Sequence, residues 1–196
     1  MSPTIIKSNH RTIHRNPFEV PVSFTDEQLV IIKDIAKERG DFKDSNSHLV
    51  ADKRIIKRDN VETHVIGLLG EVAVARLINA TVDTELYLKG NDSEDLNMYG
   101  VSIEVKTLQG YLTFKHMSDF KSDVAVLTVY NKQDYSMVWV QGWISKYDFQ
   151  KSHFIDNFGY GDRPCVQPAE LVPIVTLKSY CVSTRNLRYI KEGYNG

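Results

Sequence analysis

The alternation of apolar and polar residues predicts a β-rich centre in this chain. In Val101–Thr107 the apolar residues alternate with Ser102, Glu104 and Lys106, which is the two-residue period of a half-buried strand. Val124–Tyr130 is nearly all apolar and β-rich, which is typical of a central strand covered on both faces. A polar break at residues 131–134 separates this strand from its predicted neighbour at residues 137–140.

Two helices are predicted ahead of these strands. Residues 61–79 carry apolar residues at intervals of three and four, with Asn60 available as the N-cap. An earlier helix starts at residues 25–27 and ends at Gly40. Its apolar face consists of Leu29, Ile32, Ile35 and Ala36.

The remaining segments are predicted from their charges and turn residues. Residues 1–16 indicate a basic, poorly structured arm, and residues 41–59 a polar loop that orders on a substrate. Residues 146–153 predict a short helix. A loop is marked by Gly159, Gly161 and Pro164.

The C-terminal part is predicted to contain a late strand and a final helix. Residues 171–175 predict an edge strand, because Pro173 cannot donate a hydrogen bond to a neighbouring strand. Ser183 or Thr184 would cap a terminal basic helix.

Asp95, Glu104 and Lys106 are the main candidates for a site. Strand alternation places Glu104 and Lys106 on one face. The turn residues at 97–100 allow a short strand carrying Asp95 to fold back antiparallel, beside Glu104. Two carboxylates next to a lysine predict a divalent-metal site, since Mg²⁺ prefers oxygen ligands and keeps several waters. The alternative is a solvated strand face, with Asp95 as a turn residue.

Glu71 is the anomaly of the helix at residues 61–79. Its helical neighbours are Gly67, Leu68, Val74 and Ala75. A carboxylate on such a face needs a partner or a metal, because burying it unpaired is costly. The structural alternative is an ion pair with Lys106 or Arg76. His64 lies about two turns earlier and is expected to be packed or phosphate-facing rather than a ligand.

This set of residues suits the hydrolysis of a phosphodiester. A bound ion generates hydroxide near neutral pH and shields the charge that builds on the phosphorus oxygens. Lys106 would orient or deprotonate the water, or stabilise that charge.

The charged residues are unevenly distributed along the chain. The chain of 196 residues is 42% hydrophobic and has a formal net charge of -1, which indicates about one domain with one substantial core. Acidic residues concentrate around the candidate site, at Asp83, Glu85, Asp92, Glu94 and Asp95. Basic residues flank it, at Lys7, Arg11, Arg15, Lys53, Arg54, Lys57, Arg58, Lys178, Arg185, Arg188 and Lys191. An acidic centre with basic flanks suits the cutting of a nucleic-acid backbone, although each basic group alone is also typical of a solvated face.

The two cysteines and the hydropathy of the chain indicate the cellular compartment in which we expect the protein. Cys165 and Cys181 have no motif spacing that indicates zinc or a disulfide. No stretch reaches transmembrane length, and the N-terminus lacks the apolar core of a signal peptide. We therefore expect a soluble protein of a reducing cytoplasm, with no membrane partner.

The residues Asp95-x8-Glu104-Val105-Lys106 resemble the motif of the PD-(D/E)xK nuclease superfamily. The proline of that name is absent, since Glu94 precedes Asp95. The resemblance extends over roughly residues 60–176, to small phage and bacterial members. It includes Gly70-Glu71, Gly142-Trp143-Ile144, Asp148-Phe149 and Glu170-Leu171-x-Pro173-Ile174.

The resemblance implies an α/β (α+β) fold with a restriction-endonuclease-like core, in which helices flank a mixed central β-sheet. Residues 59–196 would form that core with a C-terminal basic helix, and residues 1–58 a basic arm with an accessory helix. The resemblance implies four catalytic residues, namely Glu71, Asp95, Glu104 and Lys106. It implies that Mg²⁺, with Mn²⁺ as a substitute, is held by Glu71, Asp95 and Glu104. Weaker nucleic-acid contacts would come from Lys53, Arg54, Lys57, Arg58, His64 and Lys115.

Three classes of function follow from these patterns. The first is a Mg²⁺-dependent nuclease, acting on DNA at ends or interior bonds, with RNA not excluded. The second is a catalytically silent nucleic-acid-binding or assembly protein on the same fold. The third is an acidic module that binds a metal or a partner. A homodimer is left open, and a phage-encoded protein would act in the host cytoplasm.

Overall fold

The computed structural model describes residues 13–45, 60–82, 94–159 and 161–191. Within these ranges the strands are β1 (Val20–Ser23), β2 (Leu96–Met98), β3 (Val101–Thr107), β4 (Leu112–Thr113), β5 (Val124–Tyr130), β6 (Met137–Ser145), β7 (Phe154–Asn157) and β8 (Asp162–Val166). The helices are α1 (Asp26–Ser45), α2 (Asn60–Ile78), α3 (Lys146–Ser152) and α4 (Leu177–Lys191). Short 3₁₀ turns lie at Met117–Asp119, Pro168–Glu170 and Ile174–Thr176.

Five strands form a mixed sheet in the order β1-β6-β5-β3-β2. β3 and β5 are parallel, with Ile103 opposite Val124, while the other neighbours are antiparallel. All seven residues of β5 are buried, which confirms the predicted central strand. The predicted combination of a mixed β-sheet with helices is confirmed.

Helices cover one face of the sheet. The alternating residues Val101, Ile103 and Val105 of β3 pack in one apolar cluster with residues of α1, α2 and α4. The predicted apolar face of α1 is part of this cluster, which explains why α1 lies on α2. Burial of these side chains supplies the main apolar driving force for this layer.

A second, smaller sheet covers the opposite face. Its order is β4-β8-β7, and it encloses a second apolar cluster together with α3. Aromatic rings fill this layer: Phe114 stacks on Phe120 with a centroid distance of 4.6 Å, and Phe149 meets both rings edge-on. The five-stranded sheet is therefore the middle of three layers.

The segment before β1 is anchored to the core. Asn16 is only 2% exposed; its side-chain amide donates to the carbonyl of Leu171 at 2.8 Å, and its backbone N–H donates to Oε1 of Gln141 at 3.3 Å. Residues 13–16 have no regular secondary structure, although these contacts hold Asn16 against the core, and residues 1–12 lie outside the described ranges. β1 pairs with β6, so the sheet draws on residues from both sides of position 58.

Several predicted boundaries are wrong. α1 continues through Gly40 to Ser45, because a glycine inside a helix costs only about 1 kcal/mol relative to alanine. Residues 41–45 of the predicted loop are therefore helical, and residues 46–59 lie outside the described ranges. α4 begins at Leu177, directly after a 3₁₀ turn, rather than at residues 183–184.

The predictions for residues 154–175 also need correction. Gly159 and Gly161 have left-handed φ values of 84° and 110°, as turn residues do, but Pro164 lies inside β8. The predicted strand at residues 171–175 is reduced to one isolated bridge between Val172 and Trp143. Pro173 then leads into a 3₁₀ turn, which leaves no run of donors for a ladder.

A candidate site of paired carboxylates and a lysine

The hairpin of β2 and β3 places Asp95 beside Glu104. Its register pairs Leu96 with Ile103, and the N–H of Asp95 donates to the carbonyl of Ile103 at 3.0 Å. The turn consists of residues 99–100, whose φ values of 55° and 79° are those of a two-residue hairpin turn. The predicted antiparallel hairpin is confirmed.

The carboxylate of Asp95 is held against the backbone of β3. Its Oδ2 accepts a hydrogen bond from the N–H of Val105 at 2.7 Å. Burial raises the pKa of Asp95 above its ordinary value, and the Val105 hydrogen bond and the charges of Lys106 and Arg39 only partly offset this effect. Asp95 therefore lies within electrostatic reach of cations from both β3 and α1.

Glu104 and Lys106 form an ion pair on one face of β3. Burial raises the pKa of Glu104; Lys106 opposes the shift, and the negative charges of Asp95 and Asp119 add to it. The ammonium of Lys106 also lies 5.4 Å from the ring centroid of Phe114, within cation–π range. The predicted shared face of Glu104 and Lys106 is confirmed by the alternating burial of β3.

Glu71 pairs with Arg39 of α1. The Oε2–Nη1 distance is 3.5 Å, and the side chains are 14% and 18% exposed. The structural alternative considered from the sequence named Lys106 or Arg76 as the partner. Arg76 donates to the carbonyl of Ser23, the last residue of β1, at 3.2 Å.

Gly70 sets the position of Glu71 along the sheet. A β carbon on Gly70 would lie 2.0 Å from Oγ1 of Thr107 and 2.7 Å from Oγ1 of Thr128, so only glycine allows this approach of α2 to β3 and β5. The two threonine hydroxyls are themselves hydrogen-bonded at 2.9 Å. Glu71 is thereby held near the end of β3.

The charged groups occupy two sides of the sheet. Glu104 and Lys106 alternate with the β3 residues that pack in the cluster containing α2, so they point to the opposite face. Glu71 and Arg39 belong to the helical layer. Asp95 connects the two groups, since its pKa responds to both Lys106 and Arg39.

The predicted nucleic-acid contacts are only partly described. His64 is half-buried in α2, and Lys115 is exposed after β4. The four cations predicted ahead of α2 lie outside the described ranges, namely Lys53, Arg54, Lys57 and Arg58.

Two residues near the site were not singled out from the sequence. Arg39 continues the spacing of Leu29, Ile32 and Ala36, so a cation at the next position of an apolar helix face was a usable signal. Asp119 is exposed on a 3₁₀ turn and raises the pKa of Glu104. Its proximity depends on how that turn folds over β3, and no local pattern indicates it.

The carboxylates of the site fit a metal ion only as a pair. Across residues 13–45, 60–82, 94–159 and 161–191, no three acidic, histidine or cysteine side chains cluster closely enough to hold one. The predicted set of Glu71, Asp95 and Glu104 is therefore not assembled as three ligands. Asp95 and Glu104 alone fit the chemistry of Mg²⁺, which is held by one or two carboxylates, waters and substrate phosphate.

Comparisons with known proteins assign this chain to no family, so its class is described by its fold and its site. No protein-family model, curated protein or solved structure matches the chain. In the described part, no helix is long and apolar enough to cross a membrane. The chain is a mixed α/β protein with two neighbouring carboxylates and a lysine on a hairpin.

Proposed function

We propose that the protein is a metal-dependent nuclease that hydrolyses phosphodiester bonds of DNA, on a restriction-endonuclease-like core. The observation that carries the proposal is the hairpin register, which puts Asp95 beside Glu104 with Lys106 on the same face as Glu104. Two half-buried carboxylates with raised pKa values and an adjacent ammonium are costly for the fold. Such an arrangement is typical of a site rather than of a solvated strand.

Asp95 and Glu104 would hold Mg²⁺ or Mn²⁺. The bound ion supplies a nucleophilic hydroxide near neutral pH and shields charge on the phosphate oxygens. The Val105 hydrogen bond fixes one oxygen of Asp95 and leaves its other oxygen to act as a ligand.

Lys106 would act on the substrate side of the pair. Its ammonium has three donors, of which the ion pair with Glu104 uses one. The remaining donors suit an attacking water or a phosphate oxygen on which negative charge develops. Glu71, whose charge Arg39 balances, stays outside this pair of ligands.

Incubation of the purified protein with supercoiled, linear and single-stranded DNA tests this function. We expect cutting with Mg²⁺ or Mn²⁺, none in chelator, and binding without cutting in Ca²⁺, whose looser coordination places the water poorly. Cleavage that survives chelation would overturn the proposal.

The variant Lys106→Ala separates catalysis from binding. We expect its cleavage rate to fall by about 10²–10⁴-fold, the usual contribution of a positioned acid or base, while DNA binding stays near wild type. Lys132→Ala, which removes an exposed lysine from the β5–β6 turn, is the matched control. Equal rates in both variants would exclude Lys106 from the chemistry.

A catalytically silent nucleic-acid-binding protein is the second candidate. It is favoured by the internal pairing of charges, since Glu104 pairs with Lys106 and Glu71 with Arg39. Binding of DNA that stays intact in Mg²⁺ and in Mn²⁺ would select this function over the first.

A further inference from the structure

The turn of the β2–β3 hairpin and the helix α4 enclose a groove of about 420 Å³. It is lined by Tyr99, Gly100, Arg185, Arg188 and Tyr189. We propose that this Tyr99–Arg185 groove binds an unpaired segment of DNA, with a base on the exposed tyrosine rings and a phosphate on the arginines. The choice of DNA rests on the proposed function; the binding itself does not depend on cleavage.

The groove is positively charged. Residues 177–191 contain no Asp or Glu, and Arg185 and Arg188 line the groove. A phosphate oxygen is an acceptor that matches guanidinium geometry. Within the described ranges, the buried Nε of Arg185 has no hydrogen-bond partner.

Among the described residues, Arg188 and Asp123 carry further charges at the groove. Arg188 donates to the carbonyl of Gly100 and to Oδ1 of Asp123 at 2.9 Å, yet its side chain remains 43% exposed. Asp123 also accepts hydrogen bonds from the backbone and hydroxyl of Ser102. Its charge is thus directed into the protein, and two guanidinium groups face one carboxylate.

The aromatic rings of the groove are exposed. Tyr99 and Tyr189 are 43% and 56% exposed, and the guanidinium of Arg185 lies 4.9 Å from the ring centroid of Tyr99. Tyr99 has a φ of 55°, a conformation that favours Asn or Gly at this position of a hairpin turn. A bulky ring kept there at a conformational cost is consistent with a binding role.

Aromatic faces next to arginines are the recognition chemistry of single strands. Stacking on a side chain requires a base whose face is not covered by its neighbours, so a continuous duplex is a poor fit. Glu104 lies four residues beyond Gly100, about 13 Å along β3 at a rise of about 3.3 Å per residue.

Binding in the groove is tested by fluorescence anisotropy in chelator. The labelled probes are a 12-nucleotide single strand of DNA, a blunt duplex and an RNA of the same sequence. We expect the DNA single strand to bind most tightly. Tyr99→Asn should weaken its binding by about 5-fold or more, which is the effect of losing one base–aromatic stack. Because Asn suits the left-handed turn, the variant should keep or raise the melting temperature, so that lost binding is not lost folding.

Arg185→Gln should weaken the same binding and reduce the slope of log affinity against log salt by about 0.7, the value for one phosphate contact on a single strand. The matched controls are Tyr147→Ala and Lys132→Gln, which remove an exposed ring and an exposed cation outside the groove and should leave affinity within about 2-fold.

The outcomes separate this inference from the proposed function. Single-strand binding that depends on Tyr99 and Arg185, in a protein that never cuts DNA, would keep the groove and overturn the nuclease. Cleavage with wild-type binding by both variants would keep the nuclease and overturn the groove. Equal or tighter binding of the duplex or the RNA, or no binding at all, would also overturn the groove.

Discussion

Gly70 of α2 lies against Thr107 of β3 so closely that a β carbon would be 2.0 Å from the threonine Oγ1. This contact fixes the depth of α2 on the sheet, and with it the position of Glu71. The close approach connects the packing of the helical layer to the candidate site, because the next residue along the helix carries the carboxylate.

Gly70→Ala is expected to destabilise the fold. The added methyl group must displace Oγ1 of Thr107 and Thr128, which are β-branched, stiff side chains bonded to each other, and overpacking of this kind costs about 1–3 kcal/mol. Gly67→Ala is the matched control, since its β carbon would meet nothing closer than Glu71 Oε1 at 3.9 Å. It should stabilise the protein by up to about 1 kcal/mol through helix propensity. Urea unfolding measures both, and equal effects would contradict the close packing.

Asp95→Asn and Glu104→Gln are expected to raise the melting temperature at pH 7 in chelator. Both carboxyls have raised pKa values, so the folded state binds protons more tightly than the unfolded state. Their stabilising contribution is complete below the ordinary values of 3.8 and 4.5 and is lost as the pH rises through the higher folded values. Each kcal/mol relieved corresponds to about 2–4 °C for a chain of this size.

Thermal unfolding from pH 3 to pH 8 checks this dependence. The advantage of both variants should vanish at the acid end, where the wild-type carboxyls are protonated. Asp134→Asn is the control of opposite sign, since hydrogen bonds from the backbone and hydroxyl of Ser136 lower the pKa of Asp134. A gain in stability by Asp134→Asn, or none by the two site variants, would contradict the desolvation of the site.

Arg39→Met is expected to cost about 1.5–3 kcal/mol, because it removes a cation that pairs with the nearly buried Glu71. The double variant Arg39→Met/Glu71→Gln should recover part of this loss, and a double-mutant cycle by urea unfolding gives the coupling energy. If Glu71 also contributes to metal binding, Mg²⁺ should stabilise Arg39→Met more than it stabilises Glu71→Gln. Identical responses to Mg²⁺ would restrict Glu71 to the ion pair.

Both cysteines are expected to resist modification in the native protein. Burial raises the pKa of Cys181 to about 11, and burial also raises the pKa of Cys165, so neither forms much thiolate at pH 8. A thiol reagent such as DTNB should titrate the two cysteines only after guanidinium is added. Fast reaction of one thiol without denaturant would show that its layer opens.

The hairpin was predictable because its signals are local. The two-residue period of β3 and the turn chemistry at residues 97–100 fix both the face and the register, and these place Asp95 beside Glu104. The ion pair of Glu71 was not predictable in the same way. Its partner, Arg39, is chosen by the packing of α1 on α2, and that packing joins segments distant in sequence.

The second sheet was missed because its strands break local rules. Pro164 indicated a loop, yet it joins β8 as an acceptor: its carbonyl receives the N–H of Phe114 at 3.3 Å and the hydroxyl of Thr113 at 3.1 Å. A proline is tolerated where the neighbouring strand needs only its carbonyl. Contacts with residues distant in sequence thus give this segment a strand conformation, although its own residues favour a turn.

The edge position of β1 has a consequence for synthesis of the chain. Val20 pairs with Val140, about 120 residues later, so β1 has no strand to join until β6 has been made. At about 5–20 residues per second, translation leaves the first strand waiting for roughly 6–24 s, with unpaired backbone groups exposed to other chains. The central sheet is therefore complete only after β6 has been made and has paired with β1.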